Sequence, residues 1–178
     1  HRKDLSPEFG LSLHVDTGNR KILFDTGASG VFVENAEKMG IDIGAVDFAV
    51  LSHHHFDHGG GLARFFEVNE HAPVYLRSCH DDSHTFKAFG ILKRFIGIDK
   101  ELLDQHPDRF RVVDRSLEIT TGVVLLTDLT GSHPRPPGND HLWVKRNNRM
   151  IRDPFDHELE MVILSDDGLM VFSGCSNS

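Results

Sequence analysis

Eight residues constrain this chain more than any others: Ser52-His53-His54-His55-Phe56-Asp57-His58-Gly59. They follow Phe48-Ala49-Val50-Leu51, a short continuous apolar run with the character of a buried strand. In an extended segment residues i and i+2 point to one side, so His53 and His55 can aim both imidazoles at one ion. Asp57 and His58 come next, where the chain turns into Gly59-Gly60-Gly61. Three glycines let the backbone bend tightly and approach closely. Imidazole with carboxylate is a ligand set that suits zinc, and also iron or manganese. The chain has 13 histidines in 178 residues, which raises the rate of accidental pairs. Weight therefore rests on the whole pattern, with its strand and its aspartate. His54 and Phe56 alternate with His53 and His55 and should face away, His54 as a packing or supporting residue.

The rest of the chain reads as a layered α/β domain with mixed sheets, a single domain over 1–178. Residues 11–15 and 21–24 read as strands joined by Asp16-Thr17-Gly18-Asn19. Ser29 is placed to cap a helix from Gly30 to Met39, with Gly40 as its stop. A helix over 62–67 and a strand over 73–76 follow the glycines. Residues 79–105 read as helical in pieces, interrupted at Gly90 and Gly97. Strands are expected at 110–113, 117–120 and 123–126, a proline-rich loop over 132–140, and a hairpin of 160–164 with 169–172 across Asp166-Asp167-Gly168.

Composition narrows the partners. Nineteen basic residues against 27 acidic ones give a net charge of −8, which disfavours a nucleic-acid backbone as the main partner. No apolar run approaches the roughly 18 residues needed to span a bilayer. Cys79 and Cys175 lie far apart and form no CxxC pair, so a reducing, cytoplasmic setting is expected rather than a disulfide framework. The expected partner is a small-molecule substrate.

The run from Ser52 to His58 resembles the HxHxDH signature of the metallo-β-lactamase superfamily, and Phe24-Asp25-Thr26-Gly27 resembles that family's first motif. The resemblance covers nearly the whole chain. It implies an αββα sandwich with a metal site at one edge of the sheets. It further implies that His53 and His55 hold a first metal, that Asp57 and His58 hold a second, and that Asp25 supports the site through hydrogen bonds. Asp156-His157-Glu158 before the last hairpin resembles the third motif and implies His157 as the third ligand of the first metal. Cys175 falls where a bridging aspartate commonly sits. A thiolate ligand and a small buried cysteine at a strand end are both open readings for it. Oxygen-reducing diiron members carry glutamate at the His55 position, so His55 counts against that branch. The chain starts at His1 rather than Met and stops just after a strand-like run, so the sandwich is expected to be incomplete at its C-terminus.

The tail Val171-Phe172-Ser173-Gly174-Cys175-Ser176-Asn177-Ser178 and the segment Asp153-Pro154-Phe155-Asp156-His157-Glu158 resemble a narrower group. That group is labelled after dihydropterin ribofuranosyl-aminobenzene-phosphate synthase. Asn177 departs from it, standing where the group has histidine.

The activity implied is a metal-dependent hydrolase of a small-molecule ester, lactone or phosphate, using two ions, most simply zinc. Such a site lowers the pKa of a bound water to about 7, and the hydroxide attacks a carbonyl or phosphoryl centre. Asp57 would orient that hydroxide as the catalytic carboxylate. A synthase-like enzyme and a non-catalytic metal-binding module, the latter motivated by Asn177, are the alternatives. His133, Arg135, Arg146 and Arg149 could grip an anion, although a solvated loop is the plainer reading of all four.

Overall fold

The computed structural model describes residues 4–78, 83–88, 92–128 and 136–176. Cys79, His133, Arg135 and Asn177 lie outside the described residues.

Strands β1 (Leu13–Asp16) and β2 (Lys21–Phe24) form the expected hairpin. The Asp16 carboxylate accepts from the Gly18 N–H at 2.8 Å and fixes its turn. Helix α1 (Val31–Lys38) follows. Ser29 stands one residue outside the cap position expected for it, its hydroxyl accepting from the Val31 N–H at 3.4 Å. Gly30 occupies the cap position without a side-chain bond, and the Ser29 hydroxyl is held by the Glu8 carboxylate. Strand β3 (Phe48–Val50) then leads into the histidines, the short helix α2 (Phe56–Gly59) and helix α3 (Leu62–Val68). Strand β4 (Val74–Leu76) comes next.

Residues 79–105 depart most from the sequence reading. The described part forms strands β5 (Ser83–Ala88) and β6 (Leu92–Phe95), and only helix α4 (Lys100–Gln105) is helical. Antiparallel pairing explains the difference: β5 is held between β10 and β6, and only His84 and Ala88 of it are buried. Strands β7 (Phe110–Val112), β8 (Leu117–Thr120) and β9 (Val123–Leu126) match expectation. Strands β10 (Leu142–Arg146) and β11 (Arg149–Arg152) go beyond it. Their turn, Asn147-Asn148, has φ of 50° and 61°, the paired left-handed geometry that hairpins favour and asparagine tolerates. Strands β12 (Glu160–Ser165) and β13 (Gly168–Phe172) form the last hairpin.

Three sheets result, in the orders β1-β2-β3-β4-β7, β11-β10-β5-β6 and β13-β12-β9-β8. In the first, β2, β3, β4 and β7 run parallel and β1 is antiparallel at the edge. One face of this sheet packs Leu23, Ala49, Leu51 and Val74 against Phe32, Leu62, Phe65 and Phe66 of the helices. The other face packs Ile22, Phe24, Phe48 and Val50 against Val123, Leu125, Met161 and Ile163 of the third sheet. The layers among the described residues are therefore helix, sheet, sheet. The outer face of the third sheet carries Leu164, Leu169 and Val171, which are 49%, 65% and 59% exposed.

The glycines after the histidines matter for space rather than for φ, which is ordinary at Gly60 and Gly61. A Cβ on Gly60 would stand well inside contact distance of the backbone oxygens of Ala28 and Phe56. Neither oxygen can swing away. Gly60→Ala is therefore expected to cost about 1–3 kcal/mol by overpacking, read as a lower urea midpoint at unchanged slope. A neutral result would show that α2 and the 26–29 turn are free to separate.

Candidate metal centre

The site lies beyond the carboxyl ends of β2, β3 and β4, where open α/β sheets place their ligands. Past β3, Leu51 still pairs with β4, its N–H donating to the Tyr75 carbonyl at 2.8 Å. The chain then leaves the sheet with its next four side chains, Ser52, His53, His54 and His55, all buried. His55 keeps extended geometry, with φ −86° and ψ 149°, and the helical turn of α2 begins at Phe56. The i, i+2 alternation therefore holds for His53 and His55, whose ring centroids are 4.7 Å apart, but not for Asp57. Helix geometry brings His58 back toward His53, with centroids 4.1 Å apart.

Asp25 anchors this arrangement from the end of β2. It is fully buried at φ 60°. Its carboxylate accepts from the Ser52 N–H at 2.7 Å, from the Ser52 hydroxyl at 2.7 Å, and lies 2.6 Å from His58 Nδ1. Burial raises the Asp25 carboxyl, against hydrogen bonds from His58 and Ser52 that lower it. Burial pulls the His58 imidazole down, but the Asp25 hydrogen bond and then Cys175 outweigh it and push it up to about 10. The contact of Asp25 with His58 is the supporting geometry expected for it.

Cys175 closes the same side. Its Sγ is 3.2 Å from His58 Nε2, and His53, His58 and Cys175 can each offer an atom within 4.8 Å of the others. The cysteine is exposed, so the reading of it as a small buried residue at a strand end fails. Gly174 makes the approach feasible, because a Cβ there would collide with the Ser52 side chain. Asp57 Oδ2 lies 3.6 Å from His58 Nε2, at the more open rim of this trio.

On the other side of the cluster the sequence points to His157 alone, and not to Asp153 or His84. The segment between β11 and β12 folds over the histidines, with the Leu159 N–H donating to the Ser52 carbonyl at 2.8 Å. It delivers Asp153 and His157, both buried. His157 Nδ1 accepts from the His54 N–H at 3.1 Å, and its Nε2 faces both Asp153 oxygens at 3.2 Å. His157 also groups with His55 and Asp153, one ligand atom of each lying within 4.8 Å of the others, which is where a third ligand beside His55 would stand. His84 enters from β5, its Nε2 3.7 Å from Asp153. Burial alone would raise the Asp153 carboxyl, but His157, His55 and His84 hold it well below the usual carboxylate range. Burial, and then the neighbouring His157, lower His84 to about 3. His54 turns away from His53 as expected, its Nε2 against the Arg77 carbonyl at 3.0 Å and its ring stacked on His157. Of the anion candidates, Arg146 is paired twice to Asp156, at 2.8 and 2.9 Å, and Arg149 lies on the exposed strand β11.

A cation fits this site on the structure's own terms. His53 Nε2, His54 Nδ1, His55 Nε2 and His84 Nε2 are buried without a hydrogen-bond partner. Buried polar atoms left unpaired cost about 1–3 kcal/mol each, so His53 Nε2 and His55 Nε2, on neighbouring rings, call for a ligand. Burial lowers His53, His54 and His55 as well, so these imidazoles are neutral and hold lone pairs for an ion.

Comparison with known proteins places this geometry. The family model described as the metallo-beta-lactamase superfamily matches residues 5–149. A Methanocaldococcus jannaschii protein named 7,8-dihydropterin-6-methyl-4-(beta-D-ribofuranosyl)-aminobenzene-5'-phosphate synthase is 24% identical, over 96% of this chain and 62% of its own length. An uncharacterised protein of the same organism is 30% identical, over 99% of this chain and 66% of its own. Among solved structures, Tm1679, described as a metal-dependent hydrolase of the beta-lactamase superfamily, superposes with a TM-score of 0.75 at 31% identity. The match covers 96% of this chain and 60% of that one. The chain thus spans three-fifths to two-thirds of the length of these relatives.

Proposed function

The chain belongs to the metallo-beta-lactamase superfamily, and from that premise we propose that it is a metal-dependent hydrolase of a small-molecule ester, lactone or phosphate. The observation that carries this is the pair of buried, unpartnered imidazole nitrogens, His53 Nε2 and His55 Nε2, beyond the carboxyl end of β3. Similarity to Tm1679, itself described as a metal-dependent hydrolase, supports the reaction class. His53, His58 and Cys175 would hold one ion, and His55 lies beside them for a second. Imidazole with thiolate favours zinc. When bound, such ions polarise a carbonyl or phosphoryl oxygen and lower the pKa of a water.

The protein's own groups do the rest. Asp25 fixes the His58 ring through Nδ1, so that Nε2 faces the site. Asp57, at the rim, is placed to accept a hydrogen bond from the attacking water and orient it. Leu51 and Ile98, both buried, pack against Gly59 behind the histidine run.

The test is turnover on ester, lactone and phosphodiester panels, measured with bound metal, for the unmodified chain and His53→Ala. Turnover that disappears together with metal in His53→Ala is the expected result. Full metal content with no turnover on any panel would instead favour a binding module. The relationship to the Methanocaldococcus jannaschii synthase favours a second reading, in which the same centre serves a synthase reaction. Formation of that relative's named product by the metal-loaded chain, with every hydrolysis panel silent, would select it.

A further inference from the structure

We propose that the outer face of the sheet β11-β10-β5-β6 is a docking surface for an anionic lipid bilayer. The surface is separate from the metal centre, and its test does not depend on that reading. The four strands carry seven of the chain's 19 Lys and Arg residues and no Asp or Glu. The strands of the third sheet carry no Lys or Arg. Such a concentration of one sign stands out in a chain of net charge −8. The pairing register shows which residues share the outer face, because directly opposed residues point the same way. Phe95, Thr85, Trp143 and Arg152 form one row across the sheet. Lys87 stands opposite Lys93 on one side of that row, and Lys145 opposite Met150 on the other. His84 and Val144 form a buried pair on the opposite face, where His84 enters the histidine cluster.

Charge pairing shows that this face is made to meet anions. Like charges directly opposite each other on neighbouring strands are destabilising, and Lys87 faces Lys93 in that way. Of the seven cations, Arg146 pairs with Asp156 and Arg152 with Asp140, while the other five have no carboxylate in ion-pair range among the described residues. The apolar side chains point to lipid rather than nucleic acid. Phe95 is 54% and Met150 38% exposed among the cations, and Leu92 and Ile151 stand exposed on the two edge strands. Aliphatic side chains give a base nothing to stack on, but apolar groups set among cations fit the headgroup boundary of an anionic bilayer. Trp143 is flanked from the neighbouring strands by Lys87 Nζ at 4.0 Å and Arg152 Cζ at 4.6 Å, so its ring is committed to cations instead of bases. Indole rings with one wet edge favour the membrane interface.

Trp143 is the chain's only tryptophan, so intrinsic fluorescence reads this face directly. The experiment mixes the chain with vesicles of phosphatidylcholine, with and without phosphatidylserine, and follows Trp143 emission and co-flotation. Binding with a blue shift is expected on phosphatidylserine vesicles, weakened by salt and absent on phosphatidylcholine alone. Lys93→Ala and Lys145→Ala, both at exposed positions, should each weaken binding about fivefold, and about 30-fold together. Phe95→Ala should also weaken binding while leaving its salt dependence unchanged. Each variant is checked for native circular dichroism and unchanged metal content, which separates this face from the metal centre. No binding, equal affinity for the two kinds of vesicle, or phosphatidylserine binding untouched by the double lysine variant overturns the proposal and leaves the hydrolase reading standing. A Trp143 response to a single-stranded oligonucleotide or to polyglutamate, with none to phosphatidylserine vesicles, overturns it too and assigns the face to that partner.

Discussion

Replacing Asp25 by alanine is expected to remove about 3–5 kcal/mol of stability, the cost of stranding a buried charged partner. Its carboxylate holds the Ser52 N–H, the Ser52 hydroxyl and His58 Nδ1, all within 2.7 Å, and none of these groups reaches water. For a chain of this size each kcal/mol shifts the melting temperature by about 2–4 °C, so the variant should melt roughly 6–20 °C lower. Asp25→Asn should fall between the two. Asparagine tolerates the positive φ of 60° and keeps the shape, but it loses the charge that favours the protonated His58. Metal affinity in Asp25→Asn should drop about 10–100-fold, because a residue orienting a ligand is lost. An alanine variant within about 1 kcal/mol of the original would mean that Ser52 and His58 find other partners, and Asp25 would lose its place in the site.

Stripped of metal, the chain should lose stability steeply as pH falls from about 6.5 toward 3. The folded state holds His84 at about 3 and lowers His53, His54 and His55 too, through burial first and neighbouring imidazoles second. The unfolded chain titrates its histidines near 6.5. Between those limits the unfolded state binds protons that the folded state refuses, so stability present above about 6.5 is lost on acidification. His84 alone contributes roughly 4–5 kcal/mol of that loss. His58 runs the other way. Its folded value of about 10 lies above the unfolded one, so its contribution is complete below about 6.5 and fades as pH rises through 10. The urea midpoint measured in chelator should therefore fall sharply between pH 6 and 4, and fall again as pH rises from about 6.5 toward 10. A flat profile through the acid range would show that the histidines are solvated rather than buried. Zinc at neutral pH should raise the midpoint, since it binds the folded state alone.

How far the sequence reveals this site depends on how local each signal is. His53, His55, Asp57 and His58 stand in one contiguous motif after a buried strand, and Asp25 sits in a second one. The parallel strands are readable because continuous apolar runs leave little choice. Asp153 stands four residues before His157 in a segment already notable for its acids, but nothing local says that the segment folds back over the histidines. His84 carries no motif at all. Only the alternation over Ser83–Ala88 could turn its side chain inward, and the surrounding residues, with their charges and glycines, read as broken helix instead. Asn147-Asn148 is a hairpin signal that the neighbouring prolines obscure. Gly174 reads in the sequence as one residue of a tail, although its place against Ser52 and His53 is what lets Cys175 reach His58.

The centre is assembled from chain segments remote from one another: the His54–His157 bond spans 103 residues and the His58–Cys175 contact 117. Contacts of such separation close late and slow a chain's folding. Until β12 and β13 dock, the histidine run is an unfinished chelator with no thiolate and no Asp153. The cluster therefore gains its thiolate only when β13 brings Cys175 against His58, so the set of donor atoms depends on that docking.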